Sequence, residues 1–309
     1  MSKHVIVGAG PVGTATARLL AARGEEAVVV TRSGTAALPA GVRAVRLDAT
    51  DATALSELAT GAAALYNCAN PAYHRWVTDW PPLAAALLTA AERSGAVLAT
   101  VGNLYGYGEV DAPMTESTPL NPSSVKGRVR AQMWLDALAL HDAGRIRATE
   151  VRGSDYVGPG SQSHLGDRVV PRLLAGKGVQ VLGSPDTPHS WTYTEDVARL
   201  LVAVGASEQA WGRPWHVPSN APRTQREAVG DLARVAGVDP VKVSRIPGAV
   251  LTVLGWTNPV VREVREMAYQ FDRPFILDST AAQQTFGLAP TPWADVLAAT
   301  VASFRPERG

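Results

Sequence analysis

The feature that most constrains this chain is Gly8-Ala9-Gly10-Pro11-Val12-Gly13, set between the apolar run Val5-Ile6-Val7 and a helically spaced stretch over 12–23 that Gly24 closes. A buried strand that turns within a few residues into a helix can hide its apolar faces only by continuing into a βαβ layer with a parallel sheet. In that context G-x-G-x-x-G has a mechanical reading. The first glycine permits the tight turn, the second lets the backbone approach a ligand, and the third lets helix and strand pack closely. The unpaired N–H groups and positive dipole of the helix start then favour an anion. Gly8, Gly10, Pro11, Val12 and Gly13 are therefore expected to hold the pyrophosphate of a dinucleotide.

The rhythm of the chain agrees. Further strands are expected at 27–30, 42–47, 63–66, 97–101 and 148–152, with helices at 82–93, ended by Gly95, and at about 126–143, ended by Gly144. The spacing predicts an α/β fold, a Rossmann doubly wound parallel sheet with a smaller C-terminal substrate-binding lobe. Residues 1–155 are expected to form the Rossmann core and 156–309 the substrate-binding region, with 190–218 returning to the core. Within the second part only short strands are expected, at 179–182 and 215–217. Thr224-Gln225-Arg226-Glu227 has the form of a capping box on a helix that ends at Gly237, and Thr291-Pro292-Trp293 reads as an N-cap followed by an N1 proline.

Charge and cysteine content narrow the partners. Among 309 residues, 29 Lys and Arg nearly cancel 28 Asp and Glu, so no overall field attracts nucleic acid or an anionic membrane, and a small-molecule substrate is favoured. Cys68 stands alone, which excludes disulfides and thiolate metal sites, and no metal-binding spacing occurs elsewhere. Met1-Ser2-Lys3-His4 leads straight into the first strand, without a signal-peptide pattern or an apolar run of about 18–20 residues, so a cytoplasmic location is expected.

Where a domain specific for NAD keeps an acid at the end of its second strand, this chain has Thr31-Arg32-Ser33. Arg32 can form charge-assisted bonds to a 2′-phosphate and Ser33 can add a hydroxyl, so NADP(H) is the expected cofactor. Asp48, after the third strand, is placed to meet the adenine amino group.

Several later stretches together are similar to the NAD-dependent epimerase/dehydratase branch of the extended short-chain dehydrogenase/reductases. They are Thr100-Val101-Gly102-Asn103-Leu104-Tyr105-Gly106, Glu116-Ser117-Thr118-Pro119, Lys126-Gly127-Arg128-Val129-Arg130, Arg152-Gly153-Ser154-Asp155-Tyr156-Val157-Gly158-Pro159-Gly160, and Trp191-Thr192-Tyr193-Thr194-Glu195-Asp196-Val197-Ala198. The resemblance implies that Asn67, Ala69 and Asn70 form a cofactor-contact turn, and that long helices pair in a homodimer. The family's catalytic set departs at all three positions: its Ser or Thr is Val101, its Tyr is Lys126 and its Lys is Arg130. Asn103 is the nearer substitute for the hydroxyl, because strand alternation sends Thr100 to the opposite face. Lys126 reads either as a proton donor or as an exposed first-turn lysine, with Arg130 anchoring the nicotinamide ribose. Tyr105 and Tyr107, in the turn that follows, are the next donor candidates, and Tyr107 is also expected to touch substrate. Tyr73, Trp76 and Trp80, after His74, are expected to wall an aromatic pocket, and His164, Arg168, His189 and Trp191 to meet ligand from the lobe.

Three functions follow as expectations. The first is an NADPH-dependent reductase of a C=O or related C=X group in a small, partly aromatic molecule. The second is a nucleotide-sugar epimerase or dehydratase, and the third a non-catalytic NADP(H)-binding sensor.

Overall fold

Short apolar strands buried on both faces build the centre of the molecule, in a computed structural model that describes residues 1–161, 163–257 and 259–305, without the side chains of 252–255, 257, 259, 260, 262 and 264. The first half alternates β1 (Lys3–Val7), α1 (Pro11–Ala22), β2 (Glu26–Thr31), β3 (Arg43–Arg46), α2 (Ala52–Ala59), β4 (Ala62–Asn67), α3 (Trp76–Ser94), β5 (Val97–Asn103), α4 (Val125–Asp142) and β6 (Ala148–Gly153). There follow β7 (Asp155–Val157), α5 (Val170–Leu174), β8 (Val179–Val181), β9 (Trp191–Tyr193), α6 (Thr194–Gly205) and β10 (Pro214–His216). The chain ends through α7 (Gln225–Ala236), β11 (Val243–Arg245), α8 (Gly248–Thr257), α9 (Pro259–Glu266), α10 (Tyr269–Asp272), α11 (Thr280–Phe286) and α12 (Trp293–Ala302).

Seven strands pair in parallel in the order β10-β6-β5-β4-β1-β2-β3, the doubly wound arrangement that the βα alternation predicts. Strand alternation sorts the core. Ile6, Val29, Tyr66 and Ala99 meet α1 and α6 on one face, while Val5, Val7, Leu65 and Leu98 meet Trp80, Leu83 and Leu87 of α3 on the other. The pairs β7-β9 and β8-β11 lie outside this sheet, over a separate apolar cluster that includes Val157, Leu173, Val181, Trp191, Leu232, Phe271 and Leu297. The extended segment after α10 runs back along the chain: Leu277 bridges Met114 in the first half, and Phe275 bridges His189 ahead of β9.

Two helix starts differ from the sequence reading. α3 begins at Trp76 and carries Pro81 and Pro82 inside it. The carbonyls that lose their i+4 donors belong to Val77 and Thr78, which are exposed, so water can replace those bonds. At the last helix Pro292 is the N-cap, because the Thr291 backbone N–H and hydroxyl are both donated to Asp196, at 2.8 and 2.6 Å. The capping box at Thr224 and Glu227 is present as read.

Candidate functional site

The glycine loop is built as its three roles require. Gly8 has φ +103°, and a Cβ there would lie 2.8 Å from the Cys68 carbonyl oxygen; at Gly13 it would lie 2.0 Å from that of Gly8. At Gly10 a Cβ would meet no protein atom within 4 Å. The protein itself therefore excludes a side chain at the first and third glycines, whereas the space above the second is left for something else. Gly10 caps α1 without a side-chain bond, Pro11 and Val12 open the helix, and no acid stands in its first turn, so its N–H groups face the loop without a competing anion. The turn after β4 closes this cradle: buried Asn67 accepts a bond from Ala69 N at 3.3 Å, and Asn70 is exposed.

At the carboxyl ends of β2 and β3, Arg32, Ser33 and Asp48 are exposed. The Ser33 hydroxyl is donated to Thr35 O at 2.9 Å. Asp48 accepts bonds from Thr50 N and Oγ1 at 3.0 and 2.8 Å, which hold its carboxyl below the usual range with a smaller contribution from Arg32.

The second part of the site lies at the start of α4. Lys126 is neither exposed nor free: its side chain is 2 % accessible, its ammonium pairs with Glu263 and with Glu266 (3.4 Å) from α9, and it sits 4.5 Å from the centre of the Tyr73 ring. Glu266 also accepts the Val125 N–H. Two carboxylates thus offset the burial of one ammonium. The sequence reading did not contain them, because they enter from a helix more than a hundred residues away.

Arg130, one turn on, is buried with its guanidinium 4.6 Å from the Trp76 ring and 4.3 Å from the Trp80 ring. Trp76 and Trp80 therefore stack on a cation rather than wall an open pocket, and Trp80 is fully buried. Arg130 donates to Val101 O at 3.2 Å, its Nε has no partner, and burial pushes its pKa below the ordinary value. Asn103 is half-buried, and its side-chain oxygen accepts the Tyr105 N–H at 3.1 Å to shape the turn. Thr100 lines a small cavity with Asn67 and Glu150 on the α3 and α4 side of the sheet.

The tyrosines differ from one another. Tyr105 is half-buried, its hydroxyl meets that of Tyr73, and burial pushes its pKa up to about 12, with the Asp155 charge adding to the rise. Tyr107 is fully buried and bonded to His216 Nε2 at 2.7 Å, with Arg152 stacked 4.9 Å from its ring, so it belongs to the core and does not line a substrate pocket. Trp191 likewise sits in the lobe core, its indole N–H donated to Arg223 O at 3.2 Å.

His189 is buried against Trp191, Phe271 and Phe275, and contacts Asp155 Oδ2 at 2.6 Å and Gln270 O at 3.2 Å. Asp155 is held below its usual range: burial pushes it up, and the bond and charge of His189 more than offset that. His164 is half-buried edge-on to Phe271, with its pKa lowered by burial to about 4, and Arg168 is exposed. The site thus brings Lys126, Arg130, Tyr73, Tyr105 and Asp155 together, and Asp155, Glu263 and Glu266 are the members that the sequence reading did not select. For the glutamates the available signal was their i,i+3 spacing in Arg262-Glu263-Val264-Arg265-Glu266, which places them on one helix face. Among the described residues no group of His, Cys, Asp and Glu is arranged to hold a metal ion, and no helix is long and apolar enough to cross a membrane.

A parallel sheet in this order, with a glycine cradle at the carboxyl ends of its strands, defines a Rossmann-type dinucleotide-binding protein. The chain belongs to the NAD dependent epimerase/dehydratase family, which it matches over residues 4–216, and the resemblance read from its motifs is borne out. It is accordingly a member of a family of oxidoreductase-type enzymes. Among solved structures it is similar to a dTDP-glucose 4,6-dehydratase from Streptomyces venezuelae in complex with NAD, at 23 % identity and TM-score 0.76 over 99 % of this chain and 98 % of that one. It is also similar to a UDP-glucose 4-epimerase from Thermotoga maritima with UDP-glucose (18 %, TM-score 0.80, 98 % of each chain). A UDP-glucuronic acid 4-epimerase from Bacillus cereus in complex with NAD resembles it over 97 % of this chain and 98 % of its own, at 17 % identity and TM-score 0.78. No curated protein sequence gives a significant match to the chain.

Proposed function

We propose that the protein is an NADP(H)-dependent oxidoreductase acting on a carbonyl or hydroxyl carbon of a small molecule, with a sugar carried by a nucleotide as the first substrate class to consider. The observation that carries the cofactor is the glycine loop: the protein excludes a side chain at Gly8 and Gly13 but leaves open space over Gly10 at the start of α1, where a pyrophosphate could approach the backbone. Arg32, in place of an acid at the end of β2, supports NADP(H) over NAD(H). When bound, the nicotinamide supplies or accepts the hydride. The protein's part is to hold the substrate carbon against it and to manage the proton.

For the proton, Tyr105 is the better candidate. Lys126 is engaged by two carboxylates, whereas Tyr105 is half-buried beside Tyr73 just past β5, and burial keeps its phenol in the neutral form that can donate a proton. A neutral phenol favours reduction, since oxidation of a hydroxyl needs a base. The structural relatives support nucleotide sugars, because the names of those proteins specify them. An aromatic substrate loses support, since Trp76 and Trp80 are occupied by Arg130.

A second reading, a full epimerase or dehydratase cycle that opens with oxidation, is favoured by the family itself. NADPH and NADH affinities, followed by turnover of UDP-glucose, dTDP-glucose and a panel of ketones with product analysis by NMR, test both. NADPH-dependent reduction supports the first reading, and an isomerised or dehydrated sugar product the second. Tight NADPH binding with no turnover of any compound would leave a dinucleotide sensor.

A further inference from the structure

Arg32 is exposed and supplies a single positive charge at the end of β2. Asp48, held by Thr50, and Asp79, held by Arg75, both also feel Arg32. A ribose 2′-phosphate carries close to two negative charges at neutral pH, in the manner of any phosphate monoester. A single guanidinium balances only about half of that charge, which leaves a place for a second cation beside the Thr31–Gly34 turn.

Arg46 ends β3 directly beside this turn. It is the register partner of Thr31, and Leu47 N donates to Thr31 O at 3.0 Å, which fixes the two strand ends side by side. Gly34, with φ +74°, lies so close to the Arg46 stem that a Cβ on it would come within 2.7 Å of Arg46 Cβ. The turn thus rests on the arginine stem. Arg46 is exposed, and among the described residues no carboxylate pairs with it, whereas Arg43 on the same strand faces Glu26 at 3.8 Å.

We infer that Arg46 is the second arm of the 2′-phosphate clamp, gripping the phosphate from the β3 side of the turn while Arg32 and Ser33 approach it from the β2 side. The inference rests on the NADP(H) reading and deepens it: preference for the phosphorylated cofactor is set by two arginines on neighbouring strands, not by one.

The test measures dissociation constants of NADPH, NADH, 2′,5′-ADP and 5′-AMP for the full chain by calorimetry. Arg46→Ala is expected to weaken NADPH and 2′,5′-ADP about tenfold, to leave NADH and 5′-AMP unchanged, and to flatten the salt dependence of NADPH binding. Arg46→Lys should keep part of the preference, and Arg43→Ala all of it. Because Arg46 is exposed, the melting temperature of each variant confirms that the fold is intact. A parent protein that prefers NADPH, with an unchanged NADPH-to-NADH ratio in Arg46→Ala, overturns the role of Arg46 alone. Equal affinities for the two cofactors in the parent overturn the NADP(H) reading and this inference with it.

Discussion

The glycine cradle and the Lys126 cluster lie at the same edge of one sheet, yet they are made in opposite ways. The cradle takes its shape from residues adjacent in sequence: Gly8, Gly10 and Gly13 act through backbone geometry, and Val30, Cys68 and Ala69 reach them from the ends of neighbouring strands. The cluster takes its shape from charges on distant segments, with Lys126 of α4 neutralised by Glu263 and Glu266 of α9 and Arg130 sheathed by Trp76 and Trp80 of α3. Steric sites fail when an atom is added, and ionic sites fail when a partner is removed.

The largest break should come from the steric side. Gly13→Ala forces a Cβ against a carbonyl oxygen and should cost at least about 3 kcal/mol of stability, read from chemical denaturation, with dinucleotide binding lost. Gly10→Ala has room in the protein, so it should leave the unfolding midpoint unchanged while weakening the dinucleotide. If both variants behave alike, the division of labour among the glycines is wrong.

Acid should act on the core and the lobe at once, apart from both sites. His216 in the core and His164 in the lobe are each lowered by burial to about 4. A folded pKa below the unfolded value means that the unfolded chain binds the proton first. The stability that these residues contribute is therefore complete above about pH 6.5 and is lost as pH falls toward 4, by roughly 3 kcal/mol for each histidine. Urea denaturation at pH 7.5 and 4.5 checks this, and an unchanged midpoint would contradict the buried neutral rings.

On the ionic side, Lys126→Met leaves two glutamates facing a buried space without their cation. A loss of about 1–3 kcal/mol is expected, below the range for a fully buried pair because Glu263 and Glu266 are 21 % and 25 % exposed. NADPH affinity should be retained, and any reductase activity should survive in kcat. A severe kcat loss with normal stability would return Lys126 to the role of proton donor and displace Tyr105. The smallest effect concerns the cofactor edge: Arg32→Ala should weaken NADPH about tenfold and leave NADH nearly unaffected.

The same contrast explains what could be read from the sequence. The strands and the cradle were legible because alternation, glycine spacing and helix stops are local signals, and Gly24 at φ +73° and Gly95 at φ +69° stand where the stops were placed. Trp76 and Trp80 read as a pocket wall from sequence because Pro82 points to a later helix start. Taken as helical, Trp76 and Trp80 share an inward face, and both are buried. Lys126 could not be read at all without its partners. Its apparently exposed first-turn position says nothing of carboxylates 137 and 140 residues further on.

One contact described above also orders events in time. His216, on the edge strand β10, accepts a bond from Tyr107 and offers its other ring nitrogen to Asp278 O at 2.8 Å. The first half of the chain therefore cannot complete its own interior until the extended segment around Leu277 has been synthesised and laid against Met114. A ribosome that has released only the Rossmann strands carries a sheet whose last buried imidazole lacks its acceptor and whose Leu104, Tyr107 and Met114 lack their cover. That closure joins segments far apart in sequence, the kind of contact whose loop entropy must be overcome before it forms.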